Sequence, residues 1–137
     1  MSVIERQEQL IEDYGIIPDP MERFQLIVES GGGGTEPFPE EARTEGNLVP
    51  GCVSKVWVTG AVKDGVLDLR IDSEAPALAA IGALMCRLYS GAEVSAVVAV
   101  ESDFIVELGI DRNLTPTRLR GLGNIRKRIV ELAVQGM

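Results

Sequence analysis

The chain has 137 residues, a formal net charge of −8, 45% hydrophobic and 25% charged residues. Those figures suit one soluble domain over residues 1–137, long enough to bury a core without staples. An acidic balance opposes nucleic acid and anionic membranes as partners. The N-terminal "MSVIERQEQLIEDYG" holds no signal-peptide core, and the apolar runs, such as "VSAVVAV", are too short to span a bilayer. A cytoplasmic protein is expected.

Two shortages narrow the chemistry. The sequence has no histidine, so neither a Ser-His-Asp nor a Cys-His nucleophile system can be built within it. Its two cysteines, Cys52 and Cys86, cannot make a Cys-rich zinc site or a complete iron–sulfur ligand set. A carboxylate metal site stays open on composition, but the sequence shows no EF-hand or other spaced acidic loop, and no metal and no cofactor is expected.

The first apolar pattern, Val3, Ile4, Leu10, Ile11 and Tyr14, has helical spacing and stops at Gly15. Asp19 then Pro20 is an N-cap followed by a first-turn proline, and opens a second helix to about Ser30 with Phe24, Ile27 and Val28 as its stripe. The run "GGGG" at 31–34 ends it. From there to Gly51 the chain is polar and rich in Pro and Glu, a long loop of the kind that carries function.

A hairpin follows. With Asp64 and Gly65 as its tip, Lys63 faces Val66, Val62 faces Leu67, Gly60 faces Leu69 and Val58 faces Ile71. Val56, Val58 and Val62 then share a face with Leu67, Leu69 and Ile71, while Lys55, Thr59 and Lys63 share the other with Asp68, Arg70 and Asp72. A slip of one residue would destroy that segregation. Trp57 falls on the polar face and requires a cover or a partner. Two strands alone are marginal, so a third is expected around Leu48 and Val49.

The stretch "DSEAPALAAIGALMCRLYSG" reads as a helix capped by Asp72 or Ser73 and ended by Gly91, with Leu78, Ile81, Gly82, Met85 and Tyr89 on one face. Cys86 sits at the shoulder of that stripe and reads as a small buried hydrophobe. Short helices are expected over 93–100 and 102–108. The last helix starts at Thr115 as N-cap and Pro116, with Leu119, Leu122, Ile125, Ile129 and Leu132 as its buried stripe. Its cations, Arg118, Arg120, Arg126, Lys127 and Arg128, read as a solvated face. The sum is α+β: a small antiparallel sheet of two to three strands with helices packed on one face.

Two residues stand out. Cys52 follows Pro50 and Gly51, between a long loop and the rigid first strand, where reactive groups tend to sit. Strand parity extended back from Val56 and Val58 points it toward the core. Position alone leaves a reactive and a structural thiol both open. Arg118 lies on the same side of the last helix as Leu122, Ile125 and Ile129. An inward arginine needs an acidic partner, a snorkelling stem, or a function such as lowering the Cys52 pKa.

The motif "GCVSKVW" over 51–57, with "LTPTRLRGL" over 114–122 and "RLYSGAEVS" followed by "ELGI", resembles the SufE family of cysteine desulfurase partners, including its CsdE-type members. The likeness covers nearly the whole chain. It implies a three-stranded antiparallel sheet with packed helices, similar to NifU/IscU-type scaffolds but without their cluster-holding cysteines. It implies a sulfur acceptor rather than an independent enzyme. Cys52 would take a sulfane sulfur from the persulfide of a SufS/CsdA-type pyridoxal-phosphate cysteine desulfurase and stimulate that enzyme. It would then pass the sulfur to an iron–sulfur scaffold. Gly51, Ser54 and Arg118 are the supporting positions. The residue after the cysteine is Val53, where the family more often has Gln or another long side chain, and the Gly31–Gly34 loop is also unusual; both bear on partner choice. Transpersulfuration needs one thiolate and no histidine or metal, which fits the composition. The competing readings are a stand-alone thiol redox enzyme with Cys86 as resolving residue, and a non-covalent binding module using Trp57 and the basic helix.

Overall fold

The computed structural model describes residues 1–31 and 38–136. Most of the "GGGG" run therefore lies outside the described residues. Eight regular elements appear in the order α1 (Val3–Gly15), α2 (Pro20–Glu29), β1 (Val56–Lys63), β2 (Val66–Ser73), α3 (Pro76–Tyr89), α4 (Val94–Ala99), α5 (Phe104–Glu107) and α6 (Pro116–Gln135). The class is α+β, as the alternation of helical and two-residue periods requires.

Local chemistry explains most boundaries. Ser2 and Glu5 form a reciprocal capping box at α1. Asp19 accepts from the Met21 N–H at 3.0 Å, with Pro20 behind it. Thr115 accepts from the Arg118 N–H at 3.3 Å and opens α6. The start of α3 differs from expectation. It begins at Pro76, because a residue before proline is pushed out of the α region, and Ala75 sits extended at φ −94°, ψ 113°. Asp72 and Ser73 belong to β2 instead, and Ser73 Oγ accepts from the Ala75 N–H at 3.1 Å.

The hairpin register is the one the alternation dictates, from Val56 opposite Ser73 to Lys63 opposite Val66. Asp64 and Gly65 both take positive φ at its tip, 53° and 81°. Val56, Val58, Leu67 and Leu69 are buried. Among the described residues the sheet has two strands, not three. Leu48 makes a single bridge to Trp57, and the Val49 N–H donates to the Val56 carbonyl at 2.8 Å. The ladder ends there because Pro50 has no N–H to offer and Gly51 turns the chain at φ +80°. At the other edge, Val66 bridges Glu93.

The core lies where α3 packs on β2 and α6 packs on β1. Tyr89, Phe104, Ile27, Ile81, Leu84, Met85, Leu122, Ile125 and Ile129 fill it. Gly82 permits the α3 approach, since a Cβ there would overlap Ile71 Cδ1. Arginines tie helix ends into the assembly. Arg6 donates to the Ser90 carbonyl at 2.6 Å at the end of α3, and Arg23 donates to the carbonyls of Tyr14, Ile17 and Leu108.

Arg126 corrects the reading of the basic stretch as a solvated face. It is 9% exposed, its guanidinium stacks 5.0 Å from the Tyr89 ring centroid, and Nη2 donates to the carbonyls of Val97, Val98 and Val100. Those carbonyls stand at the C-terminal end of α4, where helical acceptors run out of partners. We expect Arg126→Met to lower the unfolding free energy by about 2–3 kcal/mol, the usual cost of losing hydrogen bonds to a charged group. Lys127→Gln, one residue on and exposed, should change it by less than about 0.5 kcal/mol. Urea unfolding of the two variants checks this.

Candidate functional site

The segment leading to Cys52 is folded rather than loose. Two 3-10 turns, Glu40–Ala42 and Glu45–Asn47, shape it. Arg43 bridges Glu40 at 2.8 Å and Asp72 of β2 at 2.7 Å, and lies over the Phe38 ring. Asn47 Nδ2 donates to the Ala42 carbonyl at 2.8 Å. Arg128 reaches from α6 to the Gly46 carbonyl at 3.4 Å.

The end of the segment is clamped to α6. Asn124 Nδ2 donates to the Gly51 carbonyl at 3.2 Å. A Cβ on residue 51 would stand 2.8 Å from that same nitrogen, at a backbone φ of +80° that side chains disfavour, so position 51 calls for glycine twice over. One residue on, the Cys52 S–H donates to the Gly121 carbonyl at 3.7 Å, a long and weak bond. Cys52 is half-buried and packs on the margin of the core, as strand parity suggests, but against α6 rather than under the sheet. Val53 beside it is 84% exposed. Ser54 is half-buried in the bend before β1.

Arg118 is not where the helical wheel puts it. It is exposed, as are all residues from 115 to 120, and burial on α6 begins at Gly121. Leu119, expected in the stripe, is 38% exposed. The wheel identifies a face, but the first turn of α6 projects beyond the core, so that face has nothing to pack against. Burial pushes the Cys52 thiol above its ordinary pKa, the opposite direction from the lowering that a neighbouring cation would give.

Cys86 is 8% exposed, and its thiol is pushed up to about 12, first by burial and then by the charge of Asp68. It lines a cleft of about 780 Å³ between α3, β2 and residues 38–43, together with Phe38, Arg43, Ile71 and Pro76; Cys52 does not line it. Both thiols are free.

Three residues at or near this site are not among the site candidates read from the sequence. Gly121 and Asn124 receive the loop, and Arg126 anchors the helix that carries them. A glycine inside a helical pattern costs helix stability, and Gly121 was therefore a signal. Asn124 carried none, because its partner is a loop carbonyl 73 positions away.

A thiol at about 12 is about one part in ten thousand thiolate at pH 8. Iodoacetamide at that pH should label Cys52 in the folded protein and leave Cys86 untouched, with both labelled in urea; equal labelling of the native thiols would contradict the assignment. The same burial links Cys86 to stability. The unfolded chain loses its thiol proton first, so the contribution is intact below the ordinary thiol pKa and is lost as pH rises through about 12. Cys86→Ala should make the alkaline decline shallower, by the part that Cys86 contributes beside Cys52 and Tyr89, as followed by urea unfolding between pH 8 and 11.

The model of the family described as "Fe-S metabolism associated domain", SufE, matches residues 8–133. An uncharacterized SufE-like protein of Synechocystis sp. is 31% identical over 92% of this chain and 79% of its own length. A SufE-like protein of Rhizobium meliloti is 28% identical over 89% of this chain and 90% of its own. The chain also matches 36% of the length of Arabidopsis thaliana SufE-like protein 1, chloroplastic/mitochondrial, at 27% identity. The solution structure of a hypothetical protein from Thermus thermophilus superposes with a TM-score of 0.75 at 25% identity, covering 96% of this chain and 95% of that one. With the "GCVSKVW" segment turned onto α6 and the family match running from α1 through most of α6, this chain belongs to the SufE family of iron–sulfur metabolism proteins.

Proposed function

We propose that Cys52 is a sulfur acceptor, loaded by the persulfide of a pyridoxal-phosphate cysteine desulfurase and unloaded to an iron–sulfur assembly scaffold. The cytoplasm, where thiols stay reduced, is the proposed compartment. The observation that carries this reading is the unequal pair of thiols. Cys86 is buried on α3, at the wall of the cleft, with its thiol pushed far above the ordinary range, while Cys52 is half-buried on a segment that turns at Gly51 at the edge of the core, with the exposed Val53 at its side.

The transfer is balanced without an oxidant, a reductant or a metal. The Cys52 thiolate attacks the outer sulfur of the donor persulfide; the donor S–S bond breaks and the new one forms on Cys52. The outer sulfur keeps its proton, and the electron pair leaves with the donor cysteine as thiolate. The scaffold step repeats the exchange with this protein as donor.

The raised pKa of the resting thiol fits a carrier that must not react with stray electrophiles. Docking of the desulfurase has to change that environment. Gly51 supplies the backbone freedom for Cys52 to turn outward, at the cost of one weak S–H bond to Gly121 and the amide bond from Asn124. Arg118, exposed on the first turn of α6, is the cation proposed to meet the incoming donor and favour the thiolate as the loop opens. Ser54 is proposed to shape the bend that follows.

Cys52→Ser should abolish stimulation of a cysteine desulfurase, measured as sulfide released from cysteine, while Cys86→Ser keeps most of it. Arg118→Ala should slow the stimulated rate by about tenfold, the effect of one charge-assisted contact. Normal stimulation by Cys52→Ser would end the proposal.

A further inference from the structure

The 21 acidic residues are unevenly placed along the chain. None falls in 46–63, the stretch that carries Cys52, and none in 112–130, which includes most of α6. Those two stretches meet where Cys52 touches Gly121 and Gly51 touches Asn124. Both segments that build the site are thus free of acids, in a chain whose net charge is −8.

Elsewhere the cations work inside the fold. Arg6, Arg23 and Arg126 hold carbonyls, and Arg43 and Arg128 bridge carboxylates. Beside Cys52 they do not. Among the described residues, Arg112, Arg118, Arg120 and Lys127 are exposed and enter no ion pair. A cluster of unpaired cations favours an acidic partner surface, while the negative net charge of the whole turns nucleic acid away.

Gly123 is an independent observation at the same place. It lies in the interior of α6, is exposed, and has nothing within 4 Å of a Cβ built on it. It weakens the helix, and no contact within the chain requires it. Its neighbours on the helix surface, at i−3 and i+4, are Arg120 and Lys127. The next residue, Asn124, holds the Gly51 carbonyl. Arg120, Gly123 and Lys127 therefore make a stripe beside the cysteine segment, with a cation at each end and bare backbone at the centre. Bare backbone admits the close approach of another chain.

We propose that this stripe is where an acidic segment of the sulfur donor docks, with its carboxylates on Arg120 and Lys127 and its backbone close to Gly123. The inference rests on the sulfur-acceptor reading and names the surface that the donor uses. The occupant is the donor rather than the receiver for a chemical reason. In loading, Cys52 is the attacking thiol and has to leave Gly121; in delivery, the attacking thiol belongs to the receiver. A chain seated beside Asn124 is placed to disturb the clamp that holds Cys52.

The test reads docking apart from chemistry. A pyridoxal-phosphate cysteine desulfurase is titrated with each variant, and sulfide release gives a half-saturating concentration and a maximal stimulation. Arg120→Glu and Lys127→Glu should each raise the half-saturating concentration about tenfold at about 0.02 M salt and keep the maximal stimulation. At about 0.5 M salt, where exposed charges are screened, the difference from wild type should vanish. Gly123→Gln should raise it about fivefold with a thermal midpoint at or above wild type, a combination that a merely structural glycine would not give. Lys63→Glu, the same charge change beside the hairpin tip, should match wild type. An equal loss in Lys63→Glu marks a net-charge effect and overturns the surface, as do wild-type values in Arg120→Glu and Lys127→Glu. Parallel loading with glutathione persulfide, located by peptide mapping, separates the two readings. A wild-type protein that takes no sulfur on Cys52 overturns the acceptor reading itself, while failed docking predictions with Cys52 loaded overturn the surface alone.

Discussion

Everything at this site depends on how one short segment is held to α6. Two contacts do it: the Asn124 amide on the Gly51 carbonyl, and the Cys52 thiol against Gly121. Neither is strong. A neutral side-chain hydrogen bond contributes about 1 kcal/mol, and a thiol bond at this length less. The clamp therefore orients the cysteine without locking it. The sulfur-carrier role proposed for Cys52 calls for that balance, because a carrier must shelter its sulfur and surrender it to a partner.

The rest of the molecule keeps α6 rigid so that a weak clamp suffices. Leu122, Ile125 and Ile129 bury one face of the helix, and Arg126 ties it to the carbonyls at the end of α4. Arg128 holds the upstream segment to the same helix, and Arg43 holds it to β2. Position 51 carries the remaining constraint, since positive φ and the approach of Asn124 both exclude a side chain. The proposed transfer asks little of the scaffold, because thiol exchange needs no base and no metal, and the absence of histidine from the sequence is no obstacle.

The hairpin was legible because its information is local. An Asp-Gly tip and period-two alternation fix every partner from Val56 to Lys63. The caps at Asp19 and Thr115 were legible for the same reason. Errors arose where the answer is tertiary. The expected third strand stops at one bridge because Pro50 ends the ladder. Arg118 shares a wheel face with core residues yet stands beyond the point where the core begins, while Arg126, grouped with surface cations, occupies the buried position between Ile125 and Ile129. Cys52 was recognisable from its place before the first strand. Its chemistry is not, because a thiol's pKa is set by neighbours the sequence does not position, and the sulfur-acceptor role is proposed from the family resemblance.

The most direct measurement is the fate of the sulfur atom of cysteine. The protein is incubated with a pyridoxal-phosphate cysteine desulfurase and cysteine labelled with radioactive sulfur, then separated, digested and mapped without reductant. The account predicts one label per chain, on the peptide containing Cys52, released by dithiothreitol. Label on Cys86 instead, or none on this chain while the desulfurase itself becomes labelled, would contradict it.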